Sequence, residues 1–243
     1  MGKWKKWLSA GLFTAMLGTA IIAGPTADVS ANAGNKPYNI ENVSPDAQLA
    51  PSVGDSSSKT SSKAWHKIDG VCYNGSGKKV EGAITRGMDV SEWQGKINWK
   101  EAKKDLDFAF VRISYGTRHL DDYYDYNMTE AEAADVPVGT YVYSLAKTNK
   151  EALAEAQLAI RQMQGHKVSY PVAFDLEDEA TLGTLTRKEI SQIALTFCDE
   201  IRKAGYTPIL YMNLNWYNNF VDWNVLEGSG LDVWIASYGD TIL

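Results

Sequence analysis

Short apolar runs alternate with amphipathic stretches from about position 83 onward. Such runs between polar segments are typical of buried strands, and they cover 87–90, 108–114, 138–144, 171–177, 207–212 and 231–236. Between them, three capping residues are each followed three positions later by Glu, namely Asn98 with Glu101, Thr148 with Glu151 and Thr186 with Glu189. The pattern predicts that strands and helices alternate.

The helix predicted after Thr186 has the clearest pattern. Its apolar residues recur at helical spacing, and they are Ile190, Ile193, Ala194, Phe197, Cys198 and Ile201. Gly205 follows where a left-handed residue would end the helix. One face is therefore expected to pack on a sheet. Alternating strands and helices favour an α/β fold, either a TIM-like barrel or a doubly wound parallel sheet, and periodicity does not separate the two.

The first 33 residues have the pattern of a signal peptide. Three lysines precede an apolar run over 8–23, and small residues at 31 and 33 flank Asn32. A membrane anchor is the alternative, but the run is short and interrupted by polar residues. We expect residues 1–33 to be removed and the protein to be secreted, without stable membrane insertion. The segment 34–64 is a predicted flexible linker, and 65–85 is a lead-in segment with a hairpin.

Charge and cysteine content narrow the partners and the fold class. The formal net charge is −6, and without residues 1–33 it becomes −8, with 21 Lys and Arg against 29 Asp and Glu. This acidity disfavours nucleic acid as a partner. Two cysteines, Cys72 and Cys198, are too few for a disulfide framework. A single disulfide between them is an alternative that the sequence does not decide.

Two carboxylates stand at the end of the fourth apolar run. In parallel α/β folds, catalytic groups project from the carboxyl ends of strands. Strand alternation puts Asp175 and Glu177 on the same side. Two neighbouring carboxyls do not ionise independently, so one keeps its proton and can act as the acid that glycoside cleavage requires. The alternative is a pair of solvated acids that cap the next turn.

Other strand ends favour catalysis over that alternative. Asp89 ends the first strand and is followed by Trp93, so it could face Glu177 across a barrel mouth. Aromatic residues close further strands, where they would either pack against sugar rings or belong to the core; they are Tyr141, Tyr143, Tyr211, Trp234 and Tyr238.

The remaining chemistry-bearing residues exclude some mechanisms. His66, His119 and His166 are scattered over loops and show no metal-ligand spacing or nucleophile motif, so we expect no metal and no cofactor. Arg112 lies inside the second strand, where it either orients an active-site carboxylate or forms a structural ion pair.

Six ordered motifs resemble the glycoside hydrolase family 25 muramidases, the lysozymes of the Chalaropsis type, from about Arg86 to Leu243. The motifs are GMDVSEWQGKINW from Gly87, FAFVRISYG from Phe108, VPVGTYVYS from Val136, YPVAFDLED from Tyr170, PILYMN from Pro208 and VWIASYG from Val233. The resemblance makes 86–243 the catalytic domain. It implies a modified TIM-like (β/α) barrel and hydrolysis, with retention, of the β-1,4 bond between N-acetylmuramic acid and N-acetylglucosamine.

The resemblance also implies roles for individual residues. Glu177 would be the proton donor, and Asp175 would either form a covalent intermediate or orient the substrate's acetamido group. Asp89 would support the developing charge. The substrate-binding residues would be Trp93, Arg112, Tyr141, Tyr143, Tyr211 and Trp234. The expected protein is a monomer that binds peptidoglycan glycan strands.

Two departures from the family are visible. The family continues past the sixth run into strands with a WQ-type segment and a final Asp, whereas here the chain stops at Leu243, so we expect a barrel without its last strands. Asp135 stands where the family often has Gly, which should affect a turn rather than the chemistry. The alternatives are a non-hydrolytic peptidoglycan-binding remnant and a chitinase-like glycosidase, although chitinases carry further aspartates where 171 and 173 are Pro and Ala.

Overall fold

The computed structural model describes residues 6–10, 18–23, 66–74 and 77–237. The strands in these ranges are β1 (Lys6–Ala10), β2 (Gly18–Ala23), β3 (His66–Ile68), β4 (Val71–Tyr73), β5 (Ala83–Val90), β6 (Phe108–Tyr115), β7 (His119–Leu120), β8 (Val138–Tyr143), β9 (Val168–Asp175), β10 (Pro208–Asn213) and β11 (Asp232–Ser237). The helices are α1 (Trp99–Ala102), α2 (Tyr124–Ala133), α3 (Asn149–Met163), α4 (Glu179–Leu182), α5 (Arg187–Lys203), α6 (Leu214–Asn219) and α7 (Trp223–Leu226), and a 3-10 turn covers Glu92–Gln94.

Six parallel strands form the main sheet, in the order β5, β6, β8, β9, β10 and β11. β1 pairs parallel with β11, and β2 runs antiparallel between β1 and β5, so the pairings close a ring of eight strands. The predicted barrel-like α/β fold is confirmed. Both β1 and β2 fall within residues 1–33, the predicted signal peptide. That the chain lacks the last strands of the barrel stays a prediction.

The helix starts lie where the capping pattern predicts them. The side chains of Asn98, Thr148 and Thr186 each accept a hydrogen bond from the backbone N–H three residues on. At Thr186 the Glu189 side chain also bonds back to the cap, which completes a capping box. These local signals fix where α1, α3 and α5 begin.

Helix α5 buries its apolar face as the periodicity predicts, and the buried residues include Ile190, Ile193, Ala194, Phe197, Cys198 and Ile201. Phe197 stacks on Phe174 of β9 with ring centroids 4.0 Å apart. Gly205 follows the helix with φ +90°, a backbone conformation that favours glycine. Helix α5 therefore packs on the outer face of β9 and β10. Burying each large apolar side chain contributes ~1.5–3 kcal/mol to the stability of the fold.

A second, smaller core fills the inside of the barrel. Its buried members are Phe108, Phe110, Ala173, Ile209 and Trp234. Two glycines make room for the phenylalanine rings. A Cβ at Gly87 would collide with the Phe108 ring, and one at Gly139 would collide with the Phe110 ring and the Pro171 carbonyl. The inner core therefore forms the floor on which the residues at the carboxyl ends of the strands rest.

The lead-in segment contains a two-stranded hairpin of β3 and β4. Its turn is Asp69–Gly70, both with positive φ. Lys67 pairs with Asp107 at 2.7 Å, and the same carboxylate accepts a 2.7 Å hydrogen bond from the Arg86 backbone N–H. The hairpin is thereby fastened beside the start of β6. The predicted linker over 34–64 lies outside the described residues.

Candidate active site

The strand register lines up chemistry-bearing residues at the carboxyl edge of the sheet. Asp175, the last residue of β9, pairs with Tyr143 of β8 on one side and with Tyr211 of β10 on the other. Tyr211 in turn pairs with Trp234 of β11. Because parallel strands present their carboxyl ends at one edge, four successive strands contribute to one row.

A cleft of about 630 Å³ opens above this row. It brings together all nine predicted site residues, which are Asp89, Trp93, Arg112, Tyr141, Tyr143, Asp175, Glu177, Tyr211 and Trp234. Tyr238, also considered from the sequence, lies outside the described residues. Aromatic side chains therefore form much of the cleft wall, and four carboxyls line it, those of Asp89, Glu92, Asp175 and Glu177.

Asp175 and Glu177 occupy this cleft at different depths. The strand ends at Asp175 rather than at Glu177 as predicted, but the next residue, Leu176, is buried and donates its N–H to the Tyr211 carbonyl at 2.9 Å. Alternation therefore continues past the strand end. Asp175 is 4% exposed, whereas Glu177 is half-buried and reaches further into the open cleft. Within the described residues, no hydrogen-bond partner reaches Asp175 Oδ1 or Glu177 Oε2.

Burial changes the proton affinity of both carboxyls. Burial raises the pKa of Glu177 to about 7, with Asp89 adding to the rise and a hydrogen bond from the Asn213 side chain opposing it. Burial also raises the pKa of Asp175 well above its usual value, and the charges of Glu177 and Asp89 add to this effect. The pair therefore keeps at least one proton at neutral pH.

Asp89 faces the pair from the other side of the cleft. It lies near the end of β5, and its charge contributes to the raised pKa of both Asp175 and Glu177. Burial raises the pKa of Asp89 itself to about 6. Three carboxyls with raised pKa values in one cleft are typical of a site for acid–base chemistry.

Arg112 forms the structural ion pair that was one of its two predicted roles. Its Nε lies 2.9 Å from Asp121 Oδ2, and its Nη2 lies 2.9 Å from Glu92 Oε1. Asp121 and Glu92 come from loops after β7 and β5, so Arg112 ties these loops to β6. Its charge still lowers the pKa of Asp175, although burial outweighs this effect.

Several residues in or beside the cleft were not predicted from the sequence. Asn213, the last residue of β10, hydrogen-bonds to Glu177 and could have been found by the same strand-end rule. Tyr115, Glu92 and His119 also line the cleft. His119 Nε2 of β7 lies 2.8 Å from Glu92 Oε2 of the 3-10 turn, a pairing that no short-range pattern indicates. Beside them Trp93 is 72% exposed at the rim.

The aromatic residues serve both the inner core and the cleft wall. Trp234 packs on Phe110 with centroids 4.6 Å apart and on Tyr211 at the same distance. Its indole Nε1 is buried, and within the described residues it has no hydrogen-bond partner. Burial raises the pKa of Tyr141, next to Asp89, so that its hydroxyl stays protonated. These groups offer apolar faces and hydrogen-bond donors to a polar ligand.

Other site types find no support in the described ranges. There, no three His, Cys, Asp or Glu residues are grouped so that they could hold a metal ion. Cys72 and Cys198 are both buried and unbridged. Among the same residues no helix is both long enough and apolar enough to cross a membrane.

The chain is similar to known proteins in sequence and in fold. Residues 88–242 match the family model of the glycosyl hydrolases family 25. The chain is 26% identical over 164 residues to Lysozyme M1 of Streptomyces globisporus, a match that covers 63% of this chain and 55% of that protein. The chain thus spans about half the length of the curated relatives it matches.

Two solved structures share the fold. A family 25 glycosyl hydrolase from Bacillus anthracis gives a TM-score of 0.53 at 24% identity, over 62% of this chain and 69% of that chain. The autolysin LytC from Streptococcus pneumoniae was solved in complex with a synthetic peptidoglycan ligand. It gives a TM-score of 0.56 at 19% identity, over 72% of this chain and 49% of that chain. At these identities the likeness shows the fold alone.

Proposed function

Because this chain belongs to the glycosyl hydrolases family 25, we propose that its cleft binds peptidoglycan glycan strands and hydrolyses them as an N-acetylmuramidase. The bond cleaved is the β-1,4 link between N-acetylmuramic acid and N-acetylglucosamine. One observation carries the proposal: a half-buried acid, Glu177, with a pKa of about 7 stands beside the buried Asp175 in an aromatic-walled cleft. The likeness to Lysozyme M1 supports the same chemistry.

Glu177 acts as the proton donor in this proposal. It is the more accessible of the two carboxyls, and at neutral pH about half of it is protonated, since its pKa lies near 7. The bond between C1 and the bridging oxygen breaks as Glu177 protonates that oxygen. The carboxylate left on Glu177 then takes a proton from the water that attacks C1 in the second step.

Asp175 and Asp89 stabilise the positive charge that develops on the sugar ring. Asp175 either forms a covalent bond to C1 or orients the substrate's acetamido oxygen, which then attacks C1. Both routes retain the configuration at C1, because two displacements occur in sequence. Sugar rings pack on the aromatic side chains that line the cleft, namely Trp93, Tyr141, Tyr143, Tyr211 and Trp234.

We also propose that the protein is exported and acts as a monomer at the cell wall. The support is the sequence of residues 1–33, with its lysines, apolar run and small residues before position 34. Export would bring the cleft to its substrate, since peptidoglycan lies outside the cytoplasmic membrane. Edman sequencing of the secreted protein tests this; an unprocessed N-terminus would contradict it.

Clearing of a suspension of purified cell walls tests the hydrolytic proposal. The full chain should clear the walls, and Glu177→Gln should slow clearing by ~100-fold or more, because the amide holds no transferable proton. Glu179→Gln is the matched control, since Glu179 is exposed two residues further on, and we expect it to clear at the wild-type rate. Equal clearing by wild type and Glu177→Gln, or no clearing by either protein, would contradict the hydrolytic proposal.

A further inference from the structure

Two stacked tyrosines form one wall of the cleft. Tyr115 ends β6 and Tyr143 ends β8, and the two are register partners. Their ring centroids lie 4.8 Å apart with an interplanar angle of 18°. Both line the cleft that holds Glu177. The pair thus presents a flat apolar surface, which suits the C–H face of a sugar ring.

One carboxylate contacts the hydroxyl groups of both rings. Asp178 Oδ2 accepts a hydrogen bond from Tyr143 Oη at 3.3 Å and from Tyr115 Oη at 3.4 Å. Its other oxygen, Oδ1, accepts the Thr181 backbone N–H at 2.7 Å and caps the start of α4. The cap fixes the carboxylate, and the fixed carboxylate holds the two rings.

The protonation states suit this arrangement. Burial raises the pKa of the Tyr115 hydroxyl, and the charge of Asp178 and its hydrogen bond raise it further. Burial also raises the pKa of Tyr143, with the charges of Asp175 and Asp178 adding to the effect. Both hydroxyls therefore stay protonated at neutral pH and can donate to Asp178.

We propose that Asp178 is a positioning residue that holds Tyr115 and Tyr143 as a preformed wall of the sugar-binding cleft. The proposal rests on the proposed function, and it assigns Asp178 no contact with the reacting atoms. A ring that is already held in its bound orientation loses less conformational freedom when the sugar binds. Releasing the rings should therefore weaken substrate binding and leave the chemical step nearly unchanged.

Two kinds of variant release the rings while the helix cap remains. Asp178→Ser keeps a good N-cap residue but is too short to reach the tyrosines. The double variant Tyr115→Phe with Tyr143→Phe removes both hydroxyls and leaves the cap untouched. Tyr126→Phe is the matched control, because the Tyr126 hydroxyl donates to the Ile97 carbonyl outside the cleft.

Steady-state kinetics on soluble glycan oligosaccharides should separate binding from chemistry. We expect Asp178→Ser and the double Phe variant each to raise KM about three- to tenfold, with kcat changed less than about twofold. Combining Asp178→Ser with the double Phe variant should raise KM little further, because both changes remove the same hydrogen bonds. An unchanged KM in the double Phe variant, or a fall in kcat without a rise in KM, would overturn the proposal.

Equilibrium binding separates this proposal from the hydrolytic one. In a Glu177→Gln background, the same oligosaccharides should bind with Kd raised about three- to tenfold by Asp178→Ser. If the wild type binds without cleaving and Asp178→Ser weakens binding, the hydrolytic proposal fails and the positioning role stands. If the wild type cleaves and Kd is unaffected, the positioning role fails. A chain that binds no glycan overturns both.

Discussion

Glu177 keeps its proton up to about neutral pH because burial outweighs the hydrogen bond from Asn213. The two effects have opposite signs: burial disfavours the charged carboxylate, whereas a donor that bonds to the carboxylate favours it. Asn213 also caps helix α6, through a 3.0 Å bond from the Trp216 N–H to its side-chain oxygen. The Asn213 side chain thus both caps a helix and partly offsets the rise that burial causes in the pKa of the proposed donor.

The pH profile of activity tests this balance. Because Glu177 must be protonated to act, kcat/KM of the wild type should fall as pH rises through about 7. Asn213→Ser keeps a good cap residue but is too short for the bond to Glu177. Loss of this hydrogen bond removes an effect that lowers the pKa of Glu177. The alkaline limb of the profile, where kcat/KM falls, should therefore move to higher pH. A limb that stays in place, or moves to lower pH, would contradict this account.

Single residues were predictable where a strand end marked them. Asp89, Asp175 and Glu177 follow apolar runs, and the cleft brings them together. The partners of Arg112 were not predictable, because Asp121 and Glu92 lie on loops whose approach depends on the whole barrel. Sequence alternation likewise places two carboxyls on one side but gives no measure of how deeply each is buried.

At the scale of elements, local signals predicted helix starts better than strand ends. The caps at Asn98, Thr148 and Thr186 all form, because capping depends on residues only three apart. Strand β9 stops two residues before the predicted end, because pairing depends on its neighbours. Asp135 has φ +54°, a conformation that favours glycine, which accounts for the expected effect of this residue on the turn.

Glu155 is a buried acid that no sequence pattern marks. It lies in the amphipathic helix α3, yet it is 1% exposed. Its carboxylate accepts the Leu145 N–H at 2.9 Å and the Ser144 hydroxyl at 2.8 Å. Ser144 follows Tyr143 and donates its own N–H to the Asp175 carbonyl. The buried acid therefore fastens α3 to the loop beside the cleft.

Glu155 should make stability depend on pH. Burial raises its pKa from 4.5 to about 7, so the folded chain holds this proton more tightly than the unfolded chain. The protonated Glu155 side chain makes its full contribution to the free energy of unfolding below pH 4.5. This contribution, ~3 kcal/mol at most, is lost as pH rises through 7. Glu155→Gln keeps one donor and one acceptor but does not titrate. In urea unfolding it should gain stability relative to wild type between pH 4.5 and 7.

Other carboxyls with raised pKa values, such as Asp89 and Asp175, are present in both the wild type and Glu155→Gln. The difference between the two plots of unfolding free energy against pH therefore reports on Glu155 alone. Parallel curves for wild type and Glu155→Gln over this pH range would show that burial of this residue does not raise its pKa.

At the scale of the whole molecule, closure of the sheet involves the N-terminal segment. β1 and β2 connect the edges of β11 and β5, yet both lie in residues 1–33, which we propose to be removed on export. Alternating apolar runs predicted the six parallel strands. They gave no indication of these two pairings, because a signal-like run has no strand alternation of its own.

Comparing the full chain with residues 34–243 tests what these pairings contribute. Removing β1 and β2 leaves backbone groups of β5 and β11 without strand partners, so Tm should fall by about 5 °C or more. Deleting 34–64 while keeping 1–33 is the control and should leave Tm unchanged, apart from any effect of shortening the connection. An equal Tm for the full chain and residues 34–243 would show that β1 and β2 do not stabilise the fold.

The most direct test of the central claim is mass spectrometry of fragments released from purified peptidoglycan. After borohydride reduction, the wild-type products should carry reduced N-acetylmuramic acid at their new ends, because cleavage leaves this sugar at the reducing end. Glu177→Gln should release none above background. New ends of N-acetylglucosamine or of anhydro sugar, or equal release by both proteins, would contradict muramidase chemistry at Glu177.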